Sequence, residues 1–370
     1  MKTFDPTKFR RKLTEKLDIP VGFSDPKIWI STGNFALNRL ISGDYNRGFP
    51  LSKVNMLAGE SGSGKSLIAA QVMRNAQLDH NAFVVLLDSE GAGDEAWLKN
   101  AGVNTQDNFM RIPVFTVSTC TEMVAEFISA LKESGSDQPV VIVLDSVGML
   151  ETESGQENFK KGETKGDQGQ LAKQLKRFIK NCIYLCEQKD IGFLMTNHTY
   201  ASQDMFNPDA KITGGDGIVY ASSIVIAMRK FKLKEVSGED EVATSTGVHG
   251  IKTTCMSYKT RYNKPFEKTT IEIPWSTGLD PYSGLLELFE MDGLLVKDGN
   301  KLKYTAKDGT EYKLFKKQWK DSHLQLIMDE NPYSVSREDK LQAERAELEM
   351  NQTADEEVEV EIEAEIATVE

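Results

Sequence analysis

The sequence predicts an α/β protein with a mostly parallel central sheet, and three observations lead to that fold class. Short apolar runs between about residue 50 and residue 230 alternate with helical stretches, which is typical of strands covered on both faces. The first run leads into a glycine-rich turn that opens a helical run. The 370 residues are enough for one dominant core with smaller appendages.

The predicted elements follow in chain order. Phe9, Leu13 and Leu17 have helical spacing in a basic segment, which predicts one short amphipathic helix. The apolar runs VNMLAG, FVVLLD, VVIVLD, IGFLMTN and SSIVIAMR predict strands. Helices are predicted from Lys65, near 94–101, near 119–133 and near 167–189. Residues 250–275 have the pattern of two strands joined by a turn that contains a proline.

These elements divide the chain into four regions. Residues 1–30 are predicted to be an N-terminal helical segment for oligomerisation, 31–280 the core, and 281–332 a small, mostly helical subdomain. Residues 333–370 become polar and then acidic, so we expect a disordered tail. Right-handed crossovers place the carboxyl ends of parallel strands along one edge of the sheet, where ligands bind.

Composition excludes membrane and secreted classes of protein. Hydrophobic residues make up 39% of the chain, and no stretch has the roughly 18 apolar residues of a membrane helix. The N-terminus lacks the apolar segment of a secretory signal, so we expect a cytoplasmic protein. The cysteines are expected to be buried free thiols; they are Cys120, Cys182, Cys186 and Cys255.

A glycine-rich motif predicts a phosphate site. The segment GESGSGKS matches G-x-x-x-x-G-K-[ST] between a strand and a helix. Backbone N–H groups bind the β-phosphate, Lys65 neutralises the phosphates, and the Ser66 hydroxyl is a ligand for Mg²⁺. A bare glycine turn is the structural alternative. The candidate nucleotide-binding residues here are Gly59, Glu60, Ser61, Gly62, Ser63, Gly64, Lys65, Ser66 and Leu67.

Two acidic residues follow predicted strands. Asp145 ends the run VVIVL and is placed to hold Mg²⁺ through water. Glu90 follows FVVLLDS, where a carboxylate can orient and deprotonate a water in line with the γ-phosphate. A strand-ending Asp at a turn and a helix-capping Glu are the structural alternatives.

From Gly33 to about Leu295 the chain resembles RecA-type recombinases, in particular the UvsX-like enzymes of T-even-type bacteriophages. DSEGAGDEAWLKNAGV resembles the family segment with the catalytic Glu, here Glu90, and the residues that flank the adenine, here Asp94 and Trp97. VLDSVGML resembles the segment with the metal-binding carboxylate. MTNHTY resembles the strand end with a phosphate-sensing Gln in RecA and a His in UvsX-like proteins. His198 inherits that role, with a hydrogen-bonded core histidine as the alternative.

Further strings extend this resemblance. MSYKTRYNKPFEKTTIEI resembles the segment that reaches the nucleotide of the neighbouring subunit, which gives Lys259 and Arg261 catalytic roles in trans. MFNPDAKITGGDGIVYASSIVIAMRK resembles the second DNA-binding loop and the strand that leaves it. The resemblance implies a RecA-like P-loop ATPase core that uses ATP and Mg²⁺. It also implies helical filaments on single-stranded DNA that exchange strands with homologous double-stranded DNA, and mediator and single-strand-binding proteins as further candidate partners.

Two long polar segments, near 151–166 and 199–217, follow strands and are candidate DNA-binding loops. A strand-exchange protein holds phosphates without reading sequence, so cations and backbone N–H donors suit it. Apolar side chains can wedge between bases, and glycines allow close approach. For the lysines, a solvated surface position is the alternative. The DNA-binding candidates are Lys160, Lys161, Lys165, Met205, Phe206, Lys211, Gly214, Gly215, Arg229 and Lys230.

The net charge of −12 is concentrated at the C-terminus. Eight carboxylates and no basic residue lie between 355 and 370, and the rest of the chain is nearly balanced. The tail is interpreted either as a solubilising end or as a segment that competes with DNA phosphates or recruits partner proteins.

The main alternative function is a hexameric RecA-fold helicase, which shares the phosphate loop, the metal carboxylate and a cation in trans. A third hypothesis is a non-motor ATPase that acts as a regulatory assembly switch. A helicase normally has an additional N-terminal domain, whereas only about 30 residues precede this core. The loop TGGDG, followed by YASSIVIAMRK, also favours the recombinase.

Overall fold

The computed structural model describes residues 5–17, 25–91, 93–163, 169–188, 190–200, 211–234 and 247–332. The helices in these residues are α1 (Pro6–Leu17), α2 (Phe35–Ser42), α3 (Lys65–His80), α4 (Glu95–Asn100), α5 (Val117–Ser134), α6 (Glu153–Lys160), α7 (Gln170–Gln188), α8 (Asp216–Ala221), α9 (Leu285–Met291) and α10 (Asp321–Glu330). The strands are β1 (Trp29–Ile30), β2 (Phe49–Pro50), β3 (Val54–Gly59), β4 (Phe83–Asp88), β5 (Phe109–Pro113), β6 (Val140–Asp145), β7 (Ile191–Tyr200), β8 (Lys211–Ile212), β9 (Ile224–Lys234), β10 (Val248–Lys259), β11 (Lys268–Pro274), β12 (Val296–Asp298), β13 (Lys301–Thr305) and β14 (Glu311–Leu314).

The central sheet has the strand order β11-β10-β9-β3-β7-β6-β4-β5, and the short β8 pairs with β7. The strands from β9 to β5 in this order are parallel, whereas β10 and β11 are antiparallel at one edge. The predicted fold class, α/β with a mostly parallel central sheet, is therefore confirmed. β3 carries the glycine-rich motif at its carboxyl end and lies between β7 and β9.

Helices cover both faces of this sheet because its parallel strands are apolar on both sides. α2 and α3 pack on one face, where Leu37 and Ile68 are fully buried. α5 and α7 pack on the other face, where Phe178 and Ile179 are buried. The cysteines are all free and buried, as expected from the sequence.

A second, smaller core lies after the central sheet. α9, the three-stranded sheet of β12, β13 and β14, and α10 pack around their own apolar side chains. The prediction of a mostly helical region is wrong here, because Lys301–Thr305 alternates polar and apolar residues with the period of a strand. Arg39 of α2 links the two cores. Its guanidinium donates to Glu267 at 2.7 Å, next to β11, and to Asp292 at 3.1 Å, just after α9.

The first long polar segment contains a helix, so the expectation of a plain loop is wrong for its described part. The Thr152 hydroxyl accepts from the N–H of Gly155 at 3.1 Å and caps α6. Lys165, Met205, Phe206 and the tail 333–370 lie outside the described residues. No helix in the described part of the chain has both the length and the apolar character that crossing a membrane requires.

Candidate active site at the carboxyl ends of the strands

The glycine-rich motif forms a loop between β3, which ends at Gly59, and α3, which begins at Lys65. Gly62 and Gly64 have φ angles of +72° and +93°, in the left-handed region that favours glycine. A Cβ on Gly64 would lie 2.6 Å from the Ile273 Cδ1, so a larger residue would have to displace that side chain in addition to adopting the left-handed φ. The loop therefore leads directly into the N-terminus of a 16-residue helix, an arrangement that binds phosphate.

Lys65 is a buried cation inside this loop. Its side chain donates from Nζ to the carbonyls of Gly59 and Glu60, both at 2.9 Å. Burial lowers the pKa of the Lys65 amine, and the negative charges of Asp145 and Glu90 act in the opposite direction. Because the Lys65 amine is already in place, it can neutralise a bound phosphate chain without first being moved and desolvated.

Asp145 ends β6 next to the phosphate loop. The hydroxyls of Thr196 and Ser66 both hydrogen-bond to its carboxylate. Burial raises the pKa of Asp145, these hydrogen bonds oppose the rise, the Glu90 charge adds to it, and the Lys65 charge opposes it. A desolvated carboxylate beside a serine hydroxyl is a pair of oxygen ligands that suits Mg²⁺.

Asp145→Asn is expected to increase the free energy of unfolding at neutral pH by up to about 1 kcal/mol in the absence of Mg²⁺, because an amide is cheaper to desolvate than a carboxylate. Since the folded-state pKa is raised, the contribution of Asp145 to stability is greatest at acidic pH and is lost as the pH rises through that pKa. The difference in the free energy of unfolding between variant and wild type should therefore shrink as the pH falls toward 3.8. Urea unfolding at several pH values measures it.

Asp298→Asn is the control for this experiment, because the Lys313 amine holds the pKa of Asp298 below its usual value. Its substitution should not stabilise the fold. If Asp145→Asn lowers stability at neutral pH, a net desolvation cost of the Asp145 carboxylate is refuted.

Glu90 lies just after β4 with its carboxylate near the ends of two other strands. Its Oε1 accepts from the Ser146 Oγ at 2.8 Å and contacts the His198 Nε2 at 2.9 Å. An ionised carboxylate only accepts, so Nε2 carries the proton in this contact. Side chains that follow β4 and β6 and one near the end of β7 thus meet at one point of the sheet edge. A carboxylate oriented in this way and partly open to solvent is suited to positioning a water.

The two residues predicted to flank the adenine lie at α4. Trp97, on that helix, lines a cavity together with Ser66 and Asp145. Asp94 precedes the helix and caps it, since its carboxylate accepts from the N–H of Ala96 at 3.1 Å. The carboxylate of Asp94 therefore caps the helix on which Trp97 lies. Trp97, the other residue predicted to flank the adenine, lines the cavity itself.

The second candidate DNA-binding segment is attached at both ends to the strand end that carries His198. β7 continues two residues beyond His198, and β8 pairs with it through Lys211. The N–H and the hydroxyl of Thr213 both donate to the His198 carbonyl at 3.0 Å. Gly214 and Gly215 follow with positive φ angles and lead into α8.

The remaining basic candidates lie in different surroundings. Lys160 and Lys161 are exposed at the carboxyl end of α6, and Arg229 is exposed on β9. Lys230 is also exposed, but its amine donates to the carbonyl of Ser61 in the phosphate loop. The structure therefore connects Lys230 to the nucleotide site as well as to the surface where DNA was predicted to bind.

Lys259 lies at the end of β10 and contacts its own chain. Its Nζ donates to the carbonyls of Val219, Tyr220 and Ser222 at 3.0, 2.6 and 2.6 Å. These carbonyls close the carboxyl end of α8, where helix carbonyls lack partners and a cation is favourable. Burial and the neighbouring charge of Arg261 lower the pKa of Lys259. Arg261 itself is exposed.

Sequence reasoning missed three contributors to this site. Ser146 follows Asp145 directly, and Thr196 is two residues before His198, so their positions next to predicted residues were usable signals. No pattern in the sequence indicated Arg111, because its contact with Asp88 depends on how β5 pairs with β4. The missed residues are Ser146, Thr196 and Arg111.

A phosphate loop on the central strand of a mostly parallel sheet defines a P-loop protein with a RecA-like core. The chain belongs to the family described as RecA N-terminal domain, whose model matches residues 25–280. The "Recombination and repair protein" of Enterobacteria phage T4 is 26% identical over 290 residues, which cover 78% of this chain and 70% of that protein.

Two further relatives are similar over comparable lengths. "DNA repair protein recA homolog 3, mitochondrial" of Arabidopsis thaliana is 25% identical over 77% of this chain and 60% of its own length. "Protein RecA" of Teredinibacter turnerae is 26% identical over 91% of this chain and 89% of its own length. The resemblance to RecA-type recombinases and to the phage enzymes, which the motifs predict, is confirmed.

Proposed function

We propose that this protein is an ATP-dependent DNA recombinase that forms helical filaments on single-stranded DNA and catalyses homologous pairing and strand exchange. Membership of the RecA family supports this function, as do relatives whose names include recombination and repair. The main structural support for this function is the contact between Glu90 and His198. His198 lies near the end of β7, and the residues on both sides of the segment 201–210 are attached to that strand end. The similarity to a phage protein favours a role in phage recombination, repair and recombination-dependent replication, in the host cytoplasm.

The residues at the phosphate loop fit ATP and Mg²⁺. The two left-handed glycines shape a cradle, and Lys65 supplies a buried cation. Among the described residues, the buried Ser63 Oγ has no hydrogen-bond partner, so the loop keeps a polar group for a ligand. Ser66 and Asp145 would hold Mg²⁺, which neutralises charge on the phosphate oxygens when bound.

Glu90 acts on the attacking water in this proposal. Its carboxylate accepts the proton of the water as the water oxygen bonds to the γ-phosphorus and the bond from that phosphorus to the β,γ-bridging oxygen breaks, so that ADP leaves with the electron pair. Ser146 and His198 keep the carboxylate oriented, each by a hydrogen bond to the same oxygen, Oε1. The other oxygen, Oε2, is the atom that would accept the proton.

The nucleotide site is completed by a neighbouring protomer, which contributes Arg261 and Lys259 in trans. Arg261 is exposed, while Lys259 has to leave the carbonyls of α8 to reach a phosphate. The γ-phosphate would compete with Glu90 for the His198 N–H, and this competition would alter the DNA affinity of the attached segment 201–210, which lies outside the described residues. Nucleotide hydrolysis and DNA release are coupled in this way.

Electron microscopy with single-stranded DNA and a slowly hydrolysed ATP analogue tests the function. Open helical filaments and ATP hydrolysis stimulated by single-stranded DNA are expected. Closed rings would favour the hexameric helicase instead, which gains no support from the relatives described above. Assembly that does not depend on DNA would favour the non-motor switch.

His198→Ala is expected to reduce the stimulation of ATP hydrolysis by single-stranded DNA about 5- to 150-fold, the usual range of coupling between two sites. The reason is that the Ala side chain no longer connects Glu90 to the strand end that holds the segment 201–210. His198→Gln keeps an N–H donor and should retain part of the stimulation. Substitution of His80, at the end of α3, is the control. Wild-type stimulation together with normal strand exchange in His198→Ala would refute the coupling.

Deletion of residues 354–370 is expected to increase affinity for double-stranded DNA at low salt, because the eight carboxylates repel phosphates. The increase should disappear as the ionic strength rises and screens the tail. DNA-binding curves at two salt concentrations measure it, and replacing the tail carboxylates by amides is the matched control for length. An unchanged affinity at low salt would refute the competition of the tail with DNA phosphates.

A further inference from the structure

The loop between β4 and α4 is built around the buried carboxylate of Asp88, which is 3% exposed. Its Oδ1 accepts from the N–H groups of Glu90 at 3.1 Å and Gly91 at 2.8 Å. Its Oδ2 accepts from the N–H of Gly93 at 3.1 Å. One carboxylate thus holds three backbone groups of the loop that presents Glu90.

Arg111 completes this arrangement from the edge strand β5. Its Nε and Nη2 donate to the Oδ2 of Asp88 at 3.0 and 2.6 Å. Two guanidinium nitrogens on one oxygen restrict rotation of the carboxylate, because a rotated oxygen loses both bonds. The other oxygen is thereby kept on the N–H groups of Glu90 and Gly91.

Gly93 packs closely against the Asp88 carboxylate and the Arg111 guanidinium. A Cβ on Gly93 would lie 2.8 Å from the Asp88 Oδ2 and 3.0 Å from the Arg111 Nε. Without the guanidinium, the Asp88 carboxylate would keep only its backbone donors and would be free to turn. A buried carboxylate that loses a charged partner is unfavourable, so the loop would rearrange.

We propose that Arg111 is a positioning residue for the hydrolysis of ATP, acting through Asp88 on the backbone of Glu90. This inference rests on the proposed role of Glu90 as the base. Asp94, at the other end of the loop, is fixed separately as the cap of α4. Arg111 therefore affects the position of Glu90 more than the binding of the nucleotide base.

The experiment compares Arg111→Leu, Arg111→Lys and wild type in full-length protein on single-stranded DNA. For Arg111→Leu, kcat for ATP should fall about 10- to 100-fold, the loss expected when a catalytic group is displaced by about 1 Å. The affinity for ADP, which needs no attacking water, should change less than about 3-fold, a difference below 1 kcal/mol. Arg111→Lys restores the charge but not the two-nitrogen contact and should recover part of kcat.

Two controls separate positioning from general damage. Lys303→Leu removes a paired cation of similar exposure, since Lys303 is 35% and Arg111 37% exposed, but its partner Glu311 lies at the surface, so kcat should stay unchanged. In an Asp88→Asn background, Arg111→Leu should have little further effect on kcat, because the two residues act as one unit.

The outcomes distinguish this inference from the function on which it rests. If the wild type hydrolyses ATP with DNA stimulation and Arg111→Leu has the same kcat, the positioning role is refuted while the function stands. Equal losses of kcat, ADP affinity and thermal stability would also refute it, as they indicate a merely structural role. A wild type without ATP hydrolysis on DNA refutes the proposed function itself.

Discussion

Glu90→Gln is expected to reduce ATP hydrolysis on single-stranded DNA about 10²- to 10⁴-fold, the range for loss of a general base. Gln has the shape of Glu and its carbonyl oxygen can still accept from Ser146 and His198, so the sheet edge should stay intact. It cannot accept a proton from the attacking water. Binding of ATP and assembly on DNA should therefore persist, and filaments should be longer-lived than those of the wild type.

Single-turnover hydrolysis and filament lifetime together test this expectation. Glu95→Gln is the matched control, since Glu95 lies in the first turn of α4 and contacts Lys99 on the surface. It should hydrolyse ATP at the wild-type rate. Hydrolysis by Glu90→Gln within a few-fold of the wild type would assign the base to another residue.

Arg261→Ala is expected to lower kcat about 10³-fold or more, as for other cations supplied in trans to a γ-phosphate. Lys65→Ala should abolish hydrolysis as well. The phosphates of ATP then lack their buried cation, and loss of such a charge partner costs about 2–5 kcal/mol of binding free energy. Each variant is defective, but for different reasons. The Arg261 variant has an intact phosphate loop, and the Lys65 variant has an intact cation for its neighbour.

An equal mixture of these two variants should regain about a quarter of the wild-type activity, since a head-to-tail interface between randomly ordered protomers then contains both functional residues about one time in four. Arg261 is preferred over Lys259 for this test because Lys259 also closes α8 within its own chain. ATP hydrolysis measured against the mixing ratio gives the answer. No recovery at any ratio would show that Arg261 does not act across the interface.

The sequence predicted the central features of the site because they are local or lie at strand ends. Lys65 and Ser66 belong to one short motif, and Asp145 and Glu90 follow apolar strands whose carboxyl ends share an edge. Their convergence follows from the parallel sheet alone.

Other features could not be predicted because they depend on register or on three-dimensional contacts. Arg111 meets Asp88 only because β5 pairs with β4 in one particular alignment. The contact of Lys259 with α8 joins residues about 40 positions apart, and no pattern in the sequence indicates it. α6 was missed because its residues are polar apart from Gly155 and Phe159, so they lack the apolar periodicity that signals a helix.

In the proposed function, the location of β3 makes the route from the nucleotide to the DNA short. Gly59, the first residue of the phosphate loop, is aligned with His198 on one side and with Met228 on the other. The next residue along β9 is Arg229, and the strand beyond His198 enters the segment 201–210. A shift of the loop by a fraction of a residue therefore strains two backbone ladders at once. In the proposed function, communication between nucleotide and DNA requires no relay through the interior, and variants that uncouple them should cluster at these aligned positions of β3, β7 and β9.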